Sequence, residues 1–82
     1  MSYSVYIVQC RDGSYYTGVA ADVEKRVREH NGSPKGARYT RARRPVFLVY
    51  TERHPDRSSA QKREYALKQL SRAGKEALIQ GA

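Results

Sequence analysis

A chain of 82 residues has room for one hydrophobic core, so a single domain spanning residues 1–82 is expected. Sixteen lysines and arginines against eight acidic residues give a net charge of +8, and a surface that positive attracts polyanions, nucleic acid first and an acidic membrane second. The single cysteine, Cys10, excludes a disulfide framework, and with no signal peptide and no apolar run long enough to span a bilayer the expected setting is cytoplasmic.

Residues Tyr3 to Cys10 (YSVYIVQC) are β-branched and aromatic and predict a strand. Asp12-Gly13 is a hairpin signal, and Ser14 to Val19 (SYYTGV) is the returning strand. Two registers compete. A two-residue loop pairs Cys10 with Tyr15 and sends Tyr6 and Tyr16 to opposite faces. A three-residue loop, Arg11-Asp12-Gly13 with Gly13 left-handed, pairs Cys10 with Ser14 and puts both tyrosines on one face. Only the second lets them share a site. Gly18 marks either a close backbone approach or a plain strand end.

Asp22 is a good N-cap for a helix running to about His30, with Asn31-Gly32 as its stop. Val23 and Val27 form the inward stripe, and Arg26 and His30 flank it. Residues Gly32 to Arg44 (GSPKGARYTRARR) carry Lys35, Arg38, Arg41, Arg43 and Arg44 with Tyr39 among them and no acid. A loop with one helical turn near residues 37–42 is expected there. Its charges suit a nucleic-acid backbone and its ring suits stacking; the alternative is a merely solvated loop.

Pro45 introduces Val46 to Tyr50 (VFLVY), the most apolar run, expected to be the central strand with cover on both faces. Glu52 to Arg57 is expected to turn. Ser58 and Gln61 form a capping-box pattern for a helix from about Ser58 to Leu70, with Ala60, Leu67 and Leu70 inward. Glu64 leans to the same side; it needs a cation or metal there, or pairs with Lys68 one turn on. Gly74 is expected to break the chain before a short helix from Lys75 to Gln80.

These residues can serve phosphodiester cleavage. Arg26 can neutralise phosphate oxygens, a divalent ion on Glu64 can stabilise the leaving oxygen, and a tyrosine whose pKa a nearby cation lowers can take a proton from water, with His30 assisting.

Ser4-Val5-Tyr6, Tyr16-Thr17-Gly18, Arg26, His30 and Glu64, in this order and at these spacings, resemble the GIY-YIG nuclease domain, in particular its small stand-alone members of the UPF0213 type. The resemblance covers essentially the whole chain, including the GARYT segment and the Leu48-Val49-Tyr50 strand. Serine replaces the glycine of the first triplet and threonine the isoleucine of the second. The resemblance implies an α/β fold of the α+β kind, a small three-stranded antiparallel sheet flanked by helices in the order β-β-α-β-α-α. It implies metal-dependent hydrolysis of DNA in repair or recombination, with Tyr6 as general base and Tyr16 and Arg26 around the phosphate. His30 would assist proton transfer and Glu64 would hold Mg²⁺ or Mn²⁺. The expected partner is DNA, branched or single-stranded forms included, bound by a monomer through Lys35, Arg38, Tyr39, Arg41, Arg43 and Arg44, with no membrane and no small-molecule cofactor. The rival reading is a binding module that uses the same basic segment without catalysis.

Overall fold

The computed structural model describes residues 2–81. Its elements are β1 (Tyr3–Cys10), β2 (Tyr15–Ala20), α1 (Val23–Gly32), α2 (Arg38–Arg41), β3 (Val46–His54), α3 (Arg57–Lys68) and α4 (Arg72–Gln80). This is the expected β-β-α-β-α-α order with the one-turn α2 inserted in the basic segment. The sheet is antiparallel, with strand order β2-β1-β3. No helix among the described residues is long and apolar enough to cross a membrane.

The hairpin takes the three-residue loop. Cys10 N–H donates to the Ser14 carbonyl (2.8 Å) and Gly13 N–H to the Cys10 carbonyl (2.9 Å), while Gly13 adopts φ +86°. That left-handed backbone suits glycine, which has no Cβ to clash. Asp12 braces the loop by accepting from the Ser14 amide at 3.0 Å and its hydroxyl at 2.6 Å. The resulting register sets Tyr6 opposite Gly18 and Val8 opposite Tyr16, so Tyr6 and Tyr16 share a face.

The sheet buries both faces of β1. On one side Tyr6, Val8, Cys10 and Val46 pack with Tyr16, Val23 and Val27 beneath α1. On the other, Val5 and Ile7 pack with Ala60 and Leu67 of α3, and Leu78 and Ile79 of α4 close that layer. The central strand is therefore β1, which corrects the expectation for Val46–Tyr50. That run forms an edge strand whose Phe47 and Leu48 are 62% and 41% exposed. Its apolar run is broken into two faces by a bulge, since Ile7 pairs with Tyr50 and Val8 with Leu48, leaving Val49 over.

β3 also continues through His54, into the segment expected to turn. Glu52 supports the extension: its carboxylate accepts from Tyr50 Oη (2.5 Å), His54 Nε2 (3.0 Å) and Arg63 Nε (2.7 Å). The helix boundaries shift as well. Asp56, not Ser58, caps α3 by accepting from the Ser59 amide and hydroxyl at 2.8 and 2.6 Å. α3 ends at Lys68, which leaves Leu70 38% exposed instead of inward. Gly74 does not break the chain; its N–H donates to Ser71 Oγ, the cap of α4, so it lies in that helix's first turn. Likewise α1 runs through Asn31 and Gly32 and ends at Ser33. Asn31 then fastens α1 to β3, donating to the Val46 carbonyl at 3.0 Å and accepting its N–H at 2.7 Å.

Thr17 faces the α3 side of the sheet opposite Ile7, and its buried Oγ1 has no hydrogen-bond partner among the described residues. An orphaned buried hydroxyl costs stability that a methyl group of the same shape does not. Thr17→Val should therefore raise unfolding stability by about 1 kcal/mol, read as a higher urea midpoint with an unchanged m-value.

Candidate active site

Tyr6 stands at the centre of β1 with its ring laid across Gly18. A Cβ at position 18 would sit 2.5 Å from Tyr6 Oη and 2.7 Å from Cζ, so the close approach that glycine signalled is real. The hydroxyl of Tyr6 lies 2.7 Å from His30 Nε2. The Tyr16 ring meets the His30 ring edge-on, with centroids 5.2 Å apart.

His30 is the one fully buried residue of α1, deeper than Val23 and Val27, which it was expected only to flank. Asp22 fixes where that helix starts by accepting from the Lys25 amide, and two turns on His30 points under the sheet. Its Nδ1 lies 2.8 Å from Thr40 Oγ1, itself buried. Arg26, one turn earlier, sits partly exposed. Its Nη1 donates to Glu29 Oε1 (3.0 Å) and to the Lys35 carbonyl (2.7 Å), and these two acceptors hold the guanidinium in place.

An open cleft of about 400 Å³ brings Tyr6, Tyr16, Arg26 and Glu64 together. His30 does not line it but stands behind Tyr6, joined through the hydroxyl. Glu64 arrives from α3, where Arg57, Gln61 and Glu64 follow one another at i, i+4 and i+7 and share the face that borders the cleft. Glu64 also pairs with Lys68 Nζ at 3.4 Å, so the ordinary helical ion pair and the cleft position coexist. Arg57 was missed because the helix was expected to begin one residue too late, and Gln61 because it was assigned to a capping box with Ser58; the seven-residue spacing from Arg57 to Glu64 carried the signal. Thr40 was missed for a different reason, since nothing periodic relates it to His30.

Burial moves the two groups of this pair in opposite directions. Burial, then the neighbouring Tyr16, push the Tyr6 phenol up to about 12 against the weaker pull of Arg26. The expectation of a tyrosine with a lowered pKa is thus reversed for the protein without ligands, because desolvation outweighs the one cation. Burial, then Arg26 and Arg44, bring His30 down to about 4. At neutral pH both groups rest uncharged.

The basic segment divides in two. Arg44 donates to the Ser33, Glu29 and His30 carbonyls, capping the C-terminal end of α1. Arg43 bonds Asp12 Oδ2 at 3.1 Å and the Tyr39 carbonyl at 2.9 Å, with its guanidinium 4.0 Å from the Tyr39 ring centre. Tyr39 stacks on Tyr16, centroids 5.9 Å apart. Arg43, Arg44 and Tyr39 thus make contacts within the fold, although Tyr39 stays 38% exposed, while Lys35, Arg38 and Arg41 face outward.

No group of three or more His, Cys, Asp or Glu side chains is placed to hold a metal among the described residues. Glu64 is the one carboxylate among the described residues that line the cleft. That donor set fits Mg²⁺ or Mn²⁺ held by one carboxylate, waters and substrate phosphate, and does not fit an all-protein cage.

His30 has a consequence for stability. Its folded pKa of about 4 lies below its ordinary 6.5, so the unfolded chain binds the proton first as pH falls. Stability that is complete above pH 6.5 should be lost toward pH 4, by up to roughly 3 kcal/mol from this residue. Urea titrations between pH 7 and 4 should show that slope, and His30→Gln should flatten it.

The GIY-YIG catalytic domain family matches residues 2–77. A UPF0213 protein of Desulfotalea psychrophila is 59% identical over 78 residues, covering 95% of this chain and 71% of that relative. A UPF0213 protein of Halobacterium salinarum is 56% identical over 75 residues, 92% of this chain and 96% of the other. The solution NMR structure of a UPF0213 protein from Bacillus halodurans is similar with a TM-score of 0.62 at 48% identity, over 98% of this chain and 84% of that one. The family's catalytic domain implies a nuclease-type activity on nucleic acid and generally a divalent metal. With 76 consecutive positions matched and the same sheet-and-helix order, this chain belongs to the GIY-YIG family, beside relatives of the UPF0213 type.

Proposed function

We propose that the protein is a metal-dependent endonuclease that hydrolyses DNA phosphodiester bonds, serving repair or recombination, with Tyr6, Tyr16, Arg26, His30 and Glu64 as its site. The observation that carries the reading is the position of the Tyr6 hydroxyl, 2.7 Å from His30 Nε2 on its inner side and bordering a cleft that Arg26 and Glu64 also line.

Arg26 binds the scissile phosphate, and its bonds to Glu29 and the Lys35 carbonyl keep the guanidinium aimed without a search through rotamers. Tyr16, braced between His30 and Tyr39, contributes its hydroxyl at the same wall. Tyr6, as phenolate, accepts a proton from the attacking water and returns to phenol as the new P–O bond forms. Reaching the phenolate from a pKa of about 12 requires added positive charge in the cleft. Glu64 would hold Mg²⁺ or Mn²⁺, which supplies that charge and Lewis-acid stabilisation of the leaving oxygen. Lys35, whose carbonyl meets Arg26, and the exposed Arg38 and Arg41 would grip flanking phosphates.

A binding module would need the exposed cations and nothing else. It gives no reason for a buried Tyr6–His30 pair to meet a carboxylate in one cleft. Labelled duplex, flap and branched DNA incubated with Mg²⁺ or Mn²⁺ decides between them. Wild type should cut, while Tyr6→Phe and Glu64→Ala should lose about 10²–10⁴ in rate yet still bind DNA. Binding without cutting by wild type, or equal cutting by the variants, would sink the enzyme reading.

A further inference from the structure

The segment 36–40 was read from sequence as part of a phosphate-gripping loop, yet its best-defined contacts run inward. Gly36 is buried against the last turn of α1, where a Cβ would come within 2.7 Å of the Glu29 carbonyl and 3.1 Å of His30 Cα. This direct backbone contact delivers the next residues to the imidazole. Ala37 N–H donates to His30 Nδ1 at 3.4 Å, and Thr40 Oγ1 lies 2.8 Å from the same nitrogen.

We infer that Ala37 and Thr40 fix the tautomer of His30 with its proton on Nε2, so that His30 donates to Tyr6 Oη and Thr40 is a positioning residue for Tyr6. A backbone N–H can only donate, so the nitrogen it faces carries the lone pair. The Thr40 hydroxyl can rotate toward Nδ1 or toward the Ala37 carbonyl, 2.9 Å away. That carbonyl already accepts the N–H groups of Thr40 and Arg41, both at 3.1 Å, which leaves Nδ1 as the acceptor with room. Both side chains are fully buried, so no bulk water competes for the hydroxyl proton. With Nδ1 receiving two donors, the one proton of the neutral ring sits on Nε2, an assignment made from the hydrogen-bond network.

The consequence concerns Tyr6, and here the inference rests on the nuclease reading. An Nε2–H donor keeps its bond when Tyr6 ionises and strengthens it, as a charge-assisted bond. The opposite tautomer would turn a lone pair toward the phenolate and make His30 a receiver of the Tyr6 proton instead. In the first arrangement Tyr6 releases its own proton to the cleft side, and His30 holds the anion in place without changing charge.

The test uses the whole ¹⁵N-labelled protein without metal or DNA at pH 7, so its outcome does not depend on cleavage. Long-range ¹H–¹⁵N correlation of the histidine rings, with His54→Gln to identify the second histidine, should show His30 Nδ1 at an unprotonated shift and Nε2 at a protonated one. The reverse pattern in wild type overturns the inference, whether or not the protein cuts DNA. Thr40→Val should draw the two shifts toward each other and slow single-turnover cleavage about tenfold at unchanged DNA affinity, with Thr40→Ser restoring both. Wild-type shifts and rate in a folded Thr40→Val would overturn the part assigned to Thr40.

Discussion

The candidate site depends on one backbone conformation, Gly13 at φ +86°, because that residue sets the register of β1 and β2. A shift of one position would send Tyr16 to the α3 side of the sheet and set a side chain, not Gly18, against the Tyr6 ring. Every other feature of the cleft assumes that pairing. Tyr6 can lie flat only because Gly18 has no Cβ, and only a Tyr6 so placed reaches the imidazole that α1 delivers. The Asp22 cap then sets where α1 starts, and the Asn31–Val46 bonds fasten its C-terminal end to the sheet.

Once in place, the site is electrostatically at rest. Burial keeps Tyr6 protonated and His30 neutral; Arg26 and Arg44 press His30 further toward its neutral form, and Arg26, held by Glu29 and a carbonyl, is outweighed by burial at Tyr6. A buried neutral pair is cheap to hold, whereas a buried phenolate alone would cost several kcal/mol. The cleft therefore waits for charge from outside. An anionic phosphate meeting Arg26 and a cation meeting Glu64 are the two changes that would alter this balance.

Features set by neighbours in the chain were legible in the sequence. The Asp12-Gly13 hairpin and the Asp22 cap follow from turn and capping chemistry, and strand alternation narrows the hairpin to two registers, between which only the fold decides. Features set by distant partners were not. Val46–Tyr50 is more apolar than β1, but which strand sits in the middle depends on which two strands pair with it, and periodicity carries no such information. Counting charge in residues 35–44 could not reveal that Arg43 answers Asp12 across the hairpin, or that Arg44 answers three carbonyls at a helix end. His30 lay beside Val23 on the helical wheel, yet its depth comes from Thr40, ten residues away in a segment with no repeat. Thr17 shows the reverse case: a departure from the family triplet that left a hydroxyl buried without a partner among the described residues.

The proposed function requires the cleft around Tyr6 and Glu64 to receive a divalent ion together with a DNA phosphate. Manganese is paramagnetic and erases nearby amide signals, so a titration with Mn²⁺ in the presence of a phosphorothioate-blocked DNA flap reads the position of the ion directly. Broadening should centre on Tyr6, Gly18, Gln61 and Glu64 and be abolished by Glu64→Gln. Broadening centred instead on Asp12 or Glu52, or unchanged by Glu64→Gln, would contradict the proposed function.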